Sequence, residues 1–459
     1  LDGISQGGIY DHVCGGIHRY ATDERWLLSH FEKMLSDNAL YVSTLLLNWQ
    51  FERNPLHQAR VEETIAWVLR DMKVESAFAA SLDADTDGEE GRYYVWTEAE
   101  IDAALAGTAT QRFKQVYNVS SNGIHQGRNV LSRTGLNSAY MISQADEALF
   151  AKQRQMLLEV RNKRTPPQRD DKVLADANGM MIAALARAGA LFRRTEWTLA
   201  AIKAFEFVEN QLGHGDRLYH SWRNGRRGKE GFSDDYAHMI EAALALWEST
   251  NDKRYLSRAQ AWTHTLNEHF WDVLNGGYFS TSDEADPLII RPRPVFDSAM
   301  PCANGLMPGL LCKLYLATLD QQYRARSNAV IEAFSGEVGR AYVSMPSYLN
   351  SLDTMTNALT VVIVGPVTNT KTHELVSAVR GRSLPGSLMM LVDPNESLPV
   401  GHPAYGKTML GGAPTAYVCH RMSCSQPINN PVTLSQALQP PLRFTPPAEQ
   451  MMPPPMGQA

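Results

Sequence analysis

Apolar and polar positions along the chain fall into pairs of unlike helices. Four runs are apolar on more than one face: ALYVSTLLLNW from Ala39, GMMIAALARAGALF from Gly179, AHMIEAALALWEST from Ala237 and GLMPGLLCKLYLAT from Gly305. Alanine and leucine favour helix, and a helix without a polar face belongs in a core. Each run is followed by an amphipathic one, starting near His57, Glu196, Lys253 and Gln322. Apolar residues recur there at three and four, with charge opposite, as in a helix covering another. Ahead of the inner runs stand Asp37, Asn38, Asp176, Asn178, Asp234, Asp235 and Asn304, where N-caps belong. A repeated inner-plus-outer hairpin predicts a helical array. Closed on itself, the array is an all-α (α/α) barrel with the inner N-termini gathered at one mouth. Loops with strand character, around Phe78–Asp83, Arg92–Trp96, Leu218–Trp222 and Gly277–Thr281, give short β-hairpins over that mouth.

Beyond Met345 the period changes. Leu359–Gly365 and Met389–Asp393 read as buried strands, with a helix over Thr372–Arg380 between them. The expected organisation is a barrel over 1–345, a part with a small α/β element closing it over 346–438, and a proline-rich tail over 439–459. The tail reads as extended or disordered.

Composition narrows the function classes. A net charge of -6, with only the short basic run Arg223–Lys229, gives no reason to expect nucleic acid. No apolar stretch reaches the length of a membrane span. No signal-peptide pattern follows Leu1, and the five scattered cysteines read as reduced thiols, so a cytoplasmic protein is expected. No phosphate loop, nucleophile elbow, zinc helix or dinucleotide fingerprint is present, and neither a metal nor a cofactor is expected.

The chemistry is densest in GGIYDHVCGGIHRYATDERWLLSHFEKMLSDN, residues 7–38. Glycine pairs there bracket aromatic, acidic and imidazole side chains, the mixture that binds and reacts with sugars. Candidate ligand contacts are Tyr10, Asp11, Arg19, Tyr20, Glu24, Arg25, Trp26, Glu32, Lys33, Asp37 and Asn38. His18 and His30 are candidate acid/base groups, because imidazole titrates near neutrality. The acidic turn SLDADTDGEEG adds Asp83, Asp85 and Glu90, with Tyr94 and Trp96 beside it. Its Asp83, Asp85, Asp87 and Gly88 fit the start of a calcium loop, but Tyr94 stands where that loop needs glutamate. FSDDYAH contributes Asp234, Asp235 and Tyr236, and the helix starts contribute Asn178 and Asn304.

Together with DDKVLADANG, FWD…GGYF and AYVC, these motifs resemble the YyaL family, which includes the spermatogenesis-associated 20 proteins. The likeness covers nearly the whole chain. It implies an (α/α)6 barrel similar to N-acylglucosamine 2-epimerases and six-hairpin glycosidases. Two departures stand out. The family's thioredoxin-like domain with its cysteine pair has no counterpart here, so the first helix or helices of the barrel are expected to be missing, and a thioredoxin-like domain or protein is a conceivable partner. Ala177 stands where the family usually has tryptophan.

The expected ligand is a small carbohydrate. The leading reading is epimerase- or isomerase-like proton transfer at C2, with His18 and His30 as base and acid and Arg19 or Arg25 polarising the carbonyl. A hydrolase reading pairs Asp83 or Asp85 with Asp234 or Asp235. A third reading is a non-catalytic sugar- or protein-binding scaffold.

Overall fold

The computed structural model describes residues 1–134, 142–286, 289–420 and 423–438. In chain order its helices are α1 (Asp2–Gln6), α2 (Leu35–Glu52), α3 (Pro55–Asp71), α4 (Glu98–Ala104) and α5 (Thr110–Val116). Then come α6 (Gln144–Arg161), α7 (Ala175–Phe192), α8 (Thr195–Gln211), α9 (Ser233–Thr250) and α10 (Lys253–His269). The last are α11 (Ala303–Thr318), α12 (Gln321–Ala341), α13 (Pro346–Asn357), α14 (Thr370–Arg380) and α15 (Pro431–Ala437).

The apolar helices pack side by side in the order α2, α7, α9, α11, α13, and α3, α8, α10 and α12 lie against the outside of the first four. The α/α barrel read from the hydrophobic pattern is therefore present, with five inner helices among the described residues. Close approach between inner helices rests on small residues. A Cβ on Gly179 would meet the His238 backbone at 2.7 Å, and one on Gly305 would meet the Ser347 hydroxyl at 1.7 Å. Each hairpin turn is built alike. Arg53, Arg193, Asn251 and Leu319 end the inner helices in the left-handed region, at φ 58, 56, 61 and 59. In three of the four turns an Asn or Asp follows and caps the outer helix: Asn54 accepts from Leu56 N–H, Asp252 from Arg254 and Asp320 from Gln322.

The C-terminal part matches the strand–helix–strand pattern and adds to it. The central strand Leu359–Val364 pairs in parallel with Leu388–Val392 and antiparallel with Thr415–His420. The end of α14 is tied to the C-terminal ends of α2 and α9. The Gln50 amide donates to the Arg380 carbonyl, and the Arg380 guanidinium donates to the carbonyls of Glu248 and Ser249 at the end of α9. One expectation is corrected here. Cys419 and Cys424 form a disulfide, because the antiparallel strands set them directly opposite each other. Cys14, Cys302 and Cys312 are free.

The fourth residue of the inner-helix motif ties each helix to the loop below it. Asn38 accepts from Ile17 N–H and donates to Ile17 and Met34 carbonyls. Asn178 does the same with Phe78 and Leu174, and Asn304 with Tyr278 and Pro294. In α9 the Tyr236 hydroxyl takes this place, accepting from Leu218 N–H at 2.9 Å. Asn178→Ala leaves one buried N–H and two carbonyls without these partners. It should lower the unfolding free energy by about 2–4 kcal/mol, read from the fall in the urea midpoint at unchanged m, and Asn178→Asp, which cannot donate, should recover little of it.

Candidate active site

At the mouth the inner helices are joined through carboxylates. Asp235, in the first turn of α9, accepts the Asp176 N–H of α7 at 3.1 Å and the Phe232 N–H at 2.8 Å. Its neighbour Asp234 reaches the other way and accepts the Ala303 N–H of α11 at 2.7 Å. Asp297, in the loop before α11, accepts from Cys302 N–H, Ser347 N–H and the Ser347 hydroxyl, so it binds α11 to α13. Helix N-termini carry uncompensated N–H groups and partial positive charge, and a neighbour's carboxylate satisfies both.

Four side chains at the mouth keep hydrogen-bonding capacity after this bracing. His220 binds Asp235 through Nδ1, at 3.0 and 3.1 Å to its two oxygens. Its Nε2 has no partner among the described residues, and its side chain is 28% exposed against 1% for Asp235. The hydrogen bond to Asp235 raises the His220 pKa, although burial opposes it. His238 is buried, and its Nε2 lies 3.0 Å from the Pro301 carbonyl. A carbonyl only accepts, so Nε2 carries the proton, and Nδ1 is left without a partner. Asp176 accepts from Ala177 N–H through Oδ1, and its other oxygen makes no hydrogen bond among the described residues. Burial, then the neighbouring Asp235, raises its pKa. Asp37, in the first turn of α2, is pushed up to about 6 by burial, and its Oδ2 is buried without a partner.

Asp176, His220 and Asp235 also hold donor atoms within 4.8 Å of one another, the spacing of a metal site. Both Asp235 oxygens already accept backbone N–H groups there, and Nδ1 of His220 is engaged with the same carboxylate. Below the mouth a cavity of about 700 Å³ runs between the inner helices, with His238, Asp297 and Ser347 at its upper end. Ion pairs cross its wall: Arg187–Glu241 at 2.8 Å and Lys313–Glu248 at 3.0 Å. None of the residues lining it is phenylalanine, tyrosine or tryptophan.

Most of the candidates from residues 7–38 lie elsewhere. Asp11 is buried between Lys33 at 2.7 Å and Arg161 of α6 at 2.9 Å. Burial alone would raise its pKa, but those two cations hold it well below the usual carboxylate range. Tyr10 is buried and donates to Glu63. His18 is 2% exposed, bonds the Phe31 carbonyl, and packs edge-on against Phe31 and Tyr94. Burial and the Lys33 charge push its pKa down to about 3. It is a neutral core side chain, not an accessible acid or base. His30 stacks on exposed Tyr20 and bonds Glu90 at 2.7 Å, so the two imidazoles do not face one pocket. Arg19 and Glu32 pair at 3.0 Å near the surface, while Glu24, Arg25 and Trp26 are exposed. Asp83 and Asp85 are exposed, and Tyr94 and Trp96 are buried, Trp96 under the Arg164 guanidinium. Asn38, Asn178, Asn304 and Tyr236 are the clamps described above rather than free ligand contacts. Of the sequence candidates, Asp37, Asp234 and Asp235 remain at the mouth.

His220, His238 and Asp176 were not among those candidates. One helical turn separates His238 from Asp234 in FSDDYAH, a signal that could have marked it. His220 sits fifteen residues before Asp235 in a loop, and only the fold joins them.

The fold and the mouth define an α/α barrel with carboxyl and imidazole groups gathered near the inner-helix N-termini. Along its sequence the chain is similar to spermatogenesis-associated protein 20 of Homo sapiens, 28% identical over 95% of this chain and 62% of that protein. The Mus musculus protein is 27% identical over 95% of this chain and 61% of its own length. The resemblance carried by the sequence motifs thus extends to relatives aligned along nearly the whole chain, which spans about three fifths of their length. No family model matches. Among solved structures the chain is similar to cellobiose 2-epimerase from Bacillus thermoamylovorans, with TM-score 0.45, 9% identity, and coverage of 72% of this chain and 67% of that one. A sugar epimerase from a ruminal bacterium gives TM-score 0.46 and 10% identity over 71% and 67%. No helix among the described residues is long and apolar enough to cross a membrane.

His18 yields a direct check on this assignment of roles. Its imidazole should stay neutral from pH 8 to pH 5 in nitrogen-detected NMR. With a folded-state pKa below the unfolded one, it penalises folding only in acid. Stability should therefore fall as pH drops below about 6.5, by up to about 1.4 kcal/mol per pH unit for this one group.

Proposed function

We propose that this protein is an enzyme of proton transfer on a small polyhydroxylated carbonyl compound, an epimerase- or isomerase-like reaction at the carbon beside the carbonyl. One observation carries the reading. Two imidazoles at the mouth, His220 and His238, each have one ring nitrogen fixed by the protein and the other uncommitted. Inverting a carbon centre needs a base on one side and an acid on the other: the neutral His220 ring offers a lone pair at Nε2, and His238 serves as the acid in its doubly protonated form, with a proton on Nδ1 as well as Nε2. In this reading His220 Nε2 takes the proton from C2 while Asp235 steadies the ring and its developing charge. His238 returns a proton to the opposite face. The polar groups on the otherwise mostly apolar cavity wall, Arg187, Glu241, Glu248 and Lys313 among them, bind hydroxyl groups by hydrogen bonds.

A second reading is hydrolysis of a glycoside by the two carboxyl groups that burial holds above their ordinary pKa, Asp176 and Asp234. Asp234 already caps α11, which leaves Asp176 the freer of the two.

The test is incubation with glucose, mannose, cellobiose and N-acetylglucosamine in heavy water, followed by proton NMR. Deuterium should enter at C2 without bond cleavage. His220→Asn and His238→Asn should each slow net epimerisation by about 10²–10⁴-fold. Release of reducing ends from a glycoside without exchange at C2 would favour the hydrolase. The absence of both would remove the catalytic reading.

A further inference from the structure

Abstracting a proton beside a carbonyl puts negative charge on the carbonyl oxygen, and a donor must meet it. The sequence offered Arg19 or Arg25 for this, but Arg19 pairs with Glu32 and Arg25 is exposed. Among the described residues the mouth holds no lysine or arginine beside the two imidazoles that is nine-tenths buried. It does hold Asp176, 6% exposed, with one oxygen on Ala177 N–H and the other uncommitted. The groups that bear on it are Asp235 and His238 from α9 and His220 from the loop before the strand Ser221–Arg223. Asp235 and His220 place donor atoms within 4.8 Å of it.

We propose that Asp176 is the electrophile of the proton-transfer reaction, a neutral carboxyl group that hydrogen-bonds and protonates the substrate's carbonyl oxygen. This rests on the proposed reading of the mouth and adds to it a substrate class, the open-chain aldehyde form of a sugar. The placement favours the neutral acid. Asp235 is braced by two backbone N–H groups and the His220 ring, while Asp176 receives a single N–H and lies beside that braced carboxylate. Two carboxyl groups so close do not both ionise readily, and the less supported one keeps its proton. Burial acts in the same direction.

The step balances. The C2 proton passes to His220 Nε2, and the C2–H electron pair becomes the C1=C2 bond. The C1=O π pair moves to oxygen, which takes the Asp176 proton. Reversal returns that proton to Asp176 as C1=O re-forms, and His238, entering the cycle doubly protonated with its second proton on Nδ1, delivers that proton to the other face of C2; the turnover leaves His220 protonated and His238 neutral, and proton exchange with water resets both. No oxidant or reductant takes part.

The experiment compares wild type, Asp176→Asn and Asp176→Ala over pH 5–9, by deuterium exchange at C2 of the same four sugars and by infrared spectroscopy of the carboxyl groups. Asp176→Ala should lower kcat by about 10²–10³-fold, the loss of one such donor, with KM little changed. Asp176→Asn, which still donates, should lie within about tenfold of wild type and lack the wild-type fall in rate on the alkaline side. At neutral pH wild type should show a protonated-carboxyl band that Asp176→Asn lacks. Equal inactivity of the two variants, an unaffected Asp176→Ala, or no such band would each overturn the assignment. A band without exchange on any sugar would instead overturn the reading of the mouth, and with it the role given to Asp176.

Discussion

The barrel is held at its mouth by carboxylates exchanged between neighbouring inner helices. Asp235 of α9 caps α7, Asp234 of α9 caps α11, and Asp297 caps both α11 and α13. The first N–H groups of each helix have no partner within the helix and need an outside acceptor. Borrowing a carboxylate from the next helix solves that problem and fixes the spacing of the ring together. The Asn and Tyr clamps one residue further along attach the same helix ends to the loops. Between them, caps and clamps leave little freedom in where a mouth side chain sits.

The stretch that looked most like a site on sequence serves a different end. Asp11, Lys33 and Arg161 form a buried ionic cluster that joins the first loop to α6. Arg60, Glu63 and Arg154 extend charge along the α3–α6 seam, with Tyr10 bonded to Glu63. Charges withdrawn from water are costly unless paired, so a cluster of this kind demands a specific arrangement of its neighbours. The glycines follow from it. Gly15 and Gly16 have φ of 89 and 84, and a Cβ on Gly15 would meet the Glu63 carbonyl at 2.4 Å. The chain has to turn left-handed against α3 to deliver Asp11 to its two cations. A run of glycine, acid, base and aromatic residues is as good a recipe for a buried ionic joint as for a sugar site.

Sequence pattern was informative where the physics is local. The inner runs, the outer amphipathic partners and the strand–helix–strand near the C-terminus all follow from periodicity, and the helices begin within a few residues of the expected positions. Helices α4, α5 and α6 were not legible that way. They belong to no hairpin, and α6 earns its place through Arg154 and Arg161, whose partners Glu63 and Asp11 are 91 and 150 residues away. The site was legible only in part, for the same reason. Asp234 and Asp235 stand out because they begin a helix. That Asp235 aims His220 and that Asp176 lies beside them depends on three separate segments meeting.

On the proposed reading, bracing and chemistry are one arrangement rather than two. The N–H groups that hold Asp235 in place, one of them from Asp176 itself, also fix the carboxylate that His220 bonds. Asp176 stays the less supported acid because Asp235 has taken its backbone N–H. The same logic bears on recognition. Ala177 follows Asp176 and is 4% exposed, and the wall of the cavity below carries no phenylalanine, tyrosine or tryptophan among the described residues. That wall has no flat face to stack on a ring, so on the proposed reading a ligand's hydroxyl groups would be held by hydrogen bonds to the polar groups it does carry, Arg187, Glu241, Glu248 and Lys313 among them. Such bonds discriminate strongly against a ligand lacking the matching group, since each absent hydroxyl leaves a buried polar atom unpaired. On that reading, selection would rest on the pattern of hydroxyl groups rather than on ring surface.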